Sequence, residues 1–226
     1  RFTILLYRYT EGSEEEQIVR TQMMLTQIRP HFIYNILASI QVLCLKDPQK
    51  AAGAVACFSS YLRGNMDAIG NENLVPFPYE LAHVENYVTL ERIRFGEKLK
   101  VCYEFEKGWD MDFDIPVLRL QPIVENAIKY GVGDKKGGGT VWISVRREGD
   151  SALVEIRDDG VGVDARNLNE LPIRDDGKTH VGLHNVQARV KLMAGGSLEF
   201  FSKKDWGTIV TIKVPWRRKT HEHTGS

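Results

Sequence analysis

Between Phe95 and Lys98 the apolar residues of this 226-residue chain change their spacing. Before that point they recur every three or four positions; beyond it they alternate. The first period buries one stripe of a helix, and the second buries one face of a strand. The chain therefore reads as α+β, an N-terminal α-helical hairpin followed by an α/β sandwich with helices on one face of a mixed sheet.

In the helical part, Ile18, Leu25, Ile28, Phe32, Ile36, Ser39 and Leu43 form one broad stripe from about Glu14 to Leu45. Glu14-Glu15-Glu16 place negative charge where a helix start favours it. His31 lies off the stripe by about a third of a turn, in a mostly polar band with Gln27 and Asn35. Pro30 removes a backbone donor and disfavours helical geometry at Arg29, so a kink is expected beside the histidine. Asp47-Pro48 reads as the N-cap and first-turn proline of a second helix, with Ala51, Val55, Phe58, Leu62 and Met66 as its apolar face. Such a hairpin has too little partner surface of its own. Two hairpins would close a four-helix bundle, and a homodimer is expected.

Gly70 to Pro78 holds glycine, asparagine and proline and reads as a linker, with a third helix from about Pro78 to Phe95 on Leu81, Val84, Val88 and Phe95. Strands follow at Lys98 to Phe105, Thr140 to Glu148, Ala152 to Asp158, Ser197 to Ser202 and Gly207 to Pro215. Glu148-Gly149-Asp150-Ser151 and Lys204-Asp205-Trp206-Gly207 supply hairpin turns. Helices are expected at about Pro116 to Tyr130 and Gly182 to Ala194. The implied organisation is residues 1–70, residues 71–217, and a tail at 218–226 that reads as disordered.

Thirty basic residues balance thirty acidic ones, so no net field recruits nucleic acid or an anionic membrane. Cys44, Cys57 and Cys102 fall in no metal or redox spacing and read as free thiols of a reducing compartment. The chain starts at Arg1 and is taken as a fragment. Phe2 to Tyr7 is too short to span a bilayer; it suits the end of a membrane helix or a plain apolar segment equally. His83, His184, His221 and His223 read as surface residues.

Three stretches carry chemistry. On the helix around Asn126, Val117, Leu120, Val124 and Ile128 form the buried stripe. Asn126 points the opposite way, with Pro122 and Lys129 close by and Glu125 on the flank. An amide oxygen there suits Mg²⁺, which leans on waters and phosphates for its other ligands; a plain surface asparagine is the competing reading. In Val154 to Gly162, Asp158 shares an apolar strand face with Val154 and Ile156, while Asp159 points away. A carboxylate so placed needs a donor, which the exocyclic amino group of adenine supplies. Gly160 and Gly162 let backbone approach a base or ribose; an ordinary strand-end turn would look similar. Finally, Gly182-Leu183 opens a helix whose free amides favour phosphate. The polar segment Val163 to Thr179 before it suits a lid or a surface loop.

The order Asn126, then Asp158-x-Gly160-x-Gly162, then Gly182-Leu183, closing on Gly207-Thr208, resembles the N, G1 and G2 boxes of the GHKL (Bergerat-fold) ATPase superfamily. Gln27-Ile28-Arg29-Pro30-His31-Phe32-Ile33-Tyr34-Asn35 resembles the histidine box of LytS/YehU-type bacterial sensor histidine kinases. So does the stretch Glu80…Tyr87…Glu91-Arg92…Arg94-Phe95, and the match covers Gln17 to Pro215. That resemblance implies ATP and Mg²⁺ as cofactors, His31 as phospho-acceptor and Asn126 as metal ligand. It makes Asp158 the adenine anchor, and Gly160, Gly162, Gly182 and Leu183 shapers of the cleft, with Lys129 holding negative charge. Glu125 is the candidate general base, and Asn35 positions the imidazole ring or a water. The phosphoryl group would pass to an aspartate on a response regulator receiver domain. Membrane attachment would come only through a sensor region upstream. Two residues depart from the family pattern, Tyr130 where histidine is usual and His180 at a lid position that is often glycine; Phe32 follows the acceptor where many other histidine kinases carry an acid. Two other classes stay open, a nucleotide-binding interaction module without transfer and an ATPase in which Glu125 activates water.

Overall fold

The computed structural model describes residues 30–68, 74–109, 111–117, 120–133, 135–170 and 181–216. It divides into two compact units, Arg1–Asn71 and Glu72–Ser226.

The described part of the first unit is a helical hairpin, α1 (Pro30–Lys46) and α2 (Pro48–Ala68). Asp47 alone joins them. Its carboxylate accepts the Lys50 backbone N–H at 3.0 Å, and this bond holds its pKa below the usual carboxylate value. Phe32, Ile36 and Ile40 of α1 are buried with Ala51, Ala54, Phe58 and Tyr61 of α2, and the Phe32 and Tyr61 rings meet at 5.2 Å. The buried face of α2 is rotated by about one residue from the expected one. Of the expected members Ala51 and Phe58 are buried, Leu62 is half-buried, and Val55 and Met66 are 49% and 56% exposed. Small Ala54 lets the helices approach, and buried Asn65 stays satisfied by donating to the Tyr61 carbonyl. The helix has apolar residues on two faces, and the hairpin uses one. Glu14 to Glu16, Ile18, Leu25, Ile28 and the expected kink lie outside the described residues.

The second unit is built on a five-stranded sheet of order β2-β4-β5-β7-β6. These strands are β2 (Leu99–Phe105), β4 (Gly139–Glu148), β5 (Ser151–Asp158), β6 (Ser197–Lys203) and β7 (Gly207–Pro215). The β2–β4 pair is parallel and the others antiparallel, so the sheet is mixed. Both expected hairpin turns form, with Gly149 and Asp205 at positive φ. Alternation sends Val141, Ile143 and Val145 of β4, Val154 and Ile156 of β5, and Val210, Ile212 and Val214 of β7 into one core. Three helices contribute to that core: α3 (Phe77–Phe95), α4 (Leu120–Asn126) and α5 (Val181–Ala194).

Three expectations need correction. The linker does not extend to Pro78: Leu74–Pro76 is a strand, β1, paired antiparallel with β3 (Asp114–Pro116), and α3 starts at Phe77. Its partner lies 40 residues away, where no local pattern reports it. The helix expected from Pro116 begins only at Leu120, because Pro116 closes β3. After Asn126 the helix widens into π turns over Ala127–Val132, with the Gly133 N–H reaching the Ile128 carbonyl at 2.7 Å. His83 is not a surface residue. It is buried on α3, its Nε2 2.8 Å from Gln121 Oε1.

Candidate functional site

β5 ends on Asp158, whose side chain follows Val154 and Ile156 into the core and keeps only 4% of its surface exposed. Its Oδ1 accepts the Gly160 N–H at 2.9 Å, and the Thr208 N–H also reaches the carboxylate. Burial nonetheless dominates and pushes the Asp158 pKa up to about 6, with the neighbouring Asp159 charge adding to the rise and the two N–H groups opposing it. Asp159 faces the other way, where its Oδ1 accepts the Thr140 N–H at 2.8 Å and pairs with Lys135 at 3.5 Å.

Three segments converge around Asp158, and glycine permits the close contacts among them. A Cβ on Gly131 would lie 2.5 Å from Asp158 Oδ1. One on Gly160 would strike the Gly131 backbone, and one on Gly207, at φ +115°, would strike the Asp158 carbonyl. The result is a cleft, open to solvent, with a volume of about 100 Å³. Ile123, Asn126, Ala127, Tyr130 and Gly131 form one wall. Ile156, Asp158, Thr208, Val210 and Phe200 form the floor, and Val161, Gly162, Val163 and Leu183 the remaining side.

Asn126 is half-buried and lines this cleft with Ile123, Ala127 and Tyr130, whereas Pro122 and Lys129, four and three residues from it, do not line the cleft. Ile123, Asn126, Ala127, Tyr130 and Gly131 follow one another at the three- and four-residue spacing of a single helix face, and together they line the cleft. Lys129 does not line the cleft; its Nζ sits 4.8 Å from the centre of the Tyr130 ring. Glu125 does not line it either. Both Glu125 and Lys129 act electrostatically on Glu91 of α3. Gly162, at φ +57°, lines the cleft, Gly160 packs against Gly131, and Gly182 is the second residue of α5, followed by buried Leu183. Of the segment Val163 to Thr179, expected as a lid or a surface loop, residues 163–170 are described, with Ala165 bridged to Ser202 and Leu168 buried; residues 171–180, with His180, lie outside the described residues. In the first unit His31 is exposed on α1, and Asn35 Nδ2 lies 3.2 Å from its Nδ1 and 3.5 Å from its Nε2.

Sequence reasoning passed over Gly131 as the cradle of Asp158 and Tyr130 as a wall residue. A glycine inside an otherwise helical run was the available signal. An apolar cleft with one buried carboxylate at its floor suits a flat heterocycle carrying an amino group. For a metal, the described residues hold no group of three or more His, Cys, Asp or Glu. Asn126 offers a single amide oxygen, which fits Mg²⁺ only when phosphate supplies further ligands.

A fold of this kind with such a cleft defines a nucleotide-binding domain of the GHKL type behind a helical hairpin. Two family models divide the chain accordingly: histidine kinase over residues 19–99, and histidine kinase-, DNA gyrase B-, and HSP90-like ATPase over residues 115–218. The chain is 32% identical over 201 residues to YwpD of Bacillus subtilis, covering 88% of this chain and 71% of that one. It is 33% identical to the sensor histidine kinase YpdA of Escherichia coli, covering 85% of this chain and 34% of that one. It is 28% identical to the sensor protein LytS of Streptococcus mutans, covering 92% and 37%. A solved mycobacterial sensor histidine kinase, MprB, overlays with a TM-score of 0.49 at 18% identity, over 65% of this chain and 99% of that one. The chain belongs to the histidine kinase family. It spans about a third of the length of YpdA and LytS.

Proposed function

We propose that this chain is the kinase region of a two-component sensor: it binds ATP in the cleft of the second unit, transfers the terminal phosphoryl group to His31, and passes it to an aspartate of a response regulator receiver domain. The single observation that carries the reading is the Asp158 carboxylate, almost wholly buried among apolar residues, with Asn126 lining the same cleft. The Gly160 and Thr208 N–H groups offset only part of the cost of burying this carboxylate, and a ligand donor would meet its remaining acceptor capacity. The amino group of adenine is that donor, and the apolar walls receive the ring.

Asn126 is the residue that would hold Mg²⁺ together with the nucleotide phosphates; the ion neutralises charge on the transferring group. The helix start at Gly182 and Leu183 offers backbone N–H groups to phosphate oxygens. Lys129, beside the Tyr130 ring, adds positive charge near the cleft. In the transfer step an unprotonated ring nitrogen of His31 attacks the terminal phosphorus. The P–N bond forms as the bond from phosphorus to the bridging oxygen breaks, and ADP carries away that oxygen's electrons. The proton on the other ring nitrogen then leaves, and Glu125 is assigned to accept it. That role requires the Glu125 carboxylate to turn from the side of Glu91. Asn35 holds the His31 ring from one helical turn away.

Homodimerisation through the hairpin is part of this reading. It is supported by the exposed apolar residues Leu37, Val42 and Leu45 of α1 and Val55 and Met66 of α2. Membrane attachment through a sensor region is part of the same reading; no helix among the described residues is long and apolar enough to cross a membrane. The test is incubation with γ-labelled ATP and Mg²⁺ of wild type, His31→Gln and Asn126→Ala. Acid-labile, base-stable label on the wild type alone supports the reading. Nucleotide binding with no label would leave a binding module in its place.

A further inference from the structure

We propose that Glu80 and His83 are positioning residues that hold α4 where its Ile123, Asn126 and Ala127 form the wall of the nucleotide cleft. The inference rests on the nucleotide reading of that cleft and extends it to groups that do not line it.

Glu80 is fully buried on α3, and its Oε1 accepts the Leu120 N–H at 2.9 Å. Leu120 is the first residue of α4, so a carboxylate from 40 residues upstream satisfies one of the donors a helix start leaves open. One residue on, Gln121 is buried and meets His83, itself buried, at 2.8 Å. The two contacts lie three residues apart on α3 and fasten adjacent residues of α4. The first turn of α4 is thereby fixed in both place and rotation.

This arrangement is expensive as mere packing. A fully buried carboxyl group loses its hydration, and an apolar residue of similar volume would fill the space without that loss. What the acid adds is direction, since it accepts one particular N–H. α4 needs that direction, because its seven α-helical residues are too few to be stable alone and the π turns follow at once. Asn126 lies six residues beyond Leu120, about 9 Å along the axis. A tilt of about 10° at the anchored end would displace it by about 1.5 Å, and misplacements near 1 Å are enough to spoil a reacting geometry.

The test uses the whole chain. The ADP dissociation constant in Mg²⁺ is measured by calorimetry for wild type, Glu80→Gln, Glu80→Ala and His83→Leu, with thermal melting and hydrogen exchange across residues 120–126. Glu80→Gln keeps an oxygen acceptor and is expected to stay within about threefold of wild type. Glu80→Ala is expected to weaken ADP about tenfold and to speed exchange at Leu120, as follows from a lost buried hydrogen bond. Glu80→Ala that melts earlier but binds ADP as wild type does would overturn the proposal, because the residue would then be structural only. Should Glu80→Ala not fold, His83→Leu decides: weaker ADP binding with faster exchange over 120–126 supports it, and unchanged binding overturns it. A wild type that binds no ADP overturns the reading of the cleft instead, and exchange at Leu120 in Glu80→Gln and Glu80→Ala then settles the anchor alone.

Discussion

Replacing Asp158 by asparagine should make the free protein more stable while removing most of its affinity for adenine, and pH should separate the two effects. The Asp158 pKa sits near 6 against an ordinary value of 3.8. The folded chain therefore holds its proton to higher pH than the unfolded chain does. The stability this residue contributes is fully present below about pH 4 and is lost as pH rises through 6. The loss comes to about 3 kcal/mol, since each tenfold difference in proton affinity between the folded and unfolded chain is worth about 1.4 kcal/mol. Asparagine carries no such penalty, so at pH 8 the Asp158→Asn free protein should melt higher than wild type. Binding runs the other way. An adenine amino group needs the ionised carboxylate, so the apparent dissociation constant should scale as one plus ten to the power of six minus pH. That makes it about twofold weaker at pH 6 and about elevenfold weaker at pH 5 than at pH 8. Adenosine is the right probe, since phosphates titrate near pH 6 themselves. Calorimetry from pH 5 to 8 on wild type and Asp158→Asn provides the measurement. A flat wild-type profile, or an equal slope in Asp158→Asn, would refute the assignment of that carboxylate as the adenine acceptor.

Gly131→Ala would set a methyl group 2.5 Å from Asp158 Oδ1, an atom already fixed by the Gly160 N–H. It should cost about 1–3 kcal/mol in chemical denaturation and abolish adenosine binding. Phe32→Ala empties the space against Tyr61 and should destabilise the hairpin by about 3–5 kcal/mol, read as loss of helical signal at lower denaturant. Val55→Glu with Met66→Glu should leave the nucleotide cleft intact and convert a dimer to a monomer in sedimentation, if α2 meets a second copy through its exposed face. Glu125→Ala should slow label transfer to His31 with little change in ADP affinity, because its side chain does not line the cleft.

The sequence was informative wherever one element could be read against itself. The alternation of Val154, Ile156 and Asp158 places the acid on the apolar face and Asp159 on the other, and both side chains lie so. Asp47-Pro48 marks a helix start without reference to anything else in the chain, and α2 begins there. Reading failed where two faces of a helix were both apolar. Val55 and Met66 could not be told from Ala54 and Tyr61, because only the partner helix decides which face it covers. It failed again at Pro116, expected to open a helix, because that residue closes a strand whose partner lies far along the chain.

The change of period at Phe95 to Lys98, the glycines around Asp158 and the order of the motifs are properties of the string of residues, since side-chain period and backbone freedom act within a few positions. Only the folded chain brings Gly131 and Gly207 against Asp158, pairs Leu74–Pro76 with Asp114–Pro116, and buries His83 and Glu80 against the start of α4. Those contacts join residues far apart along the chain. Their free energy comes from desolvation and close approach in three dimensions, which no local pattern encodes.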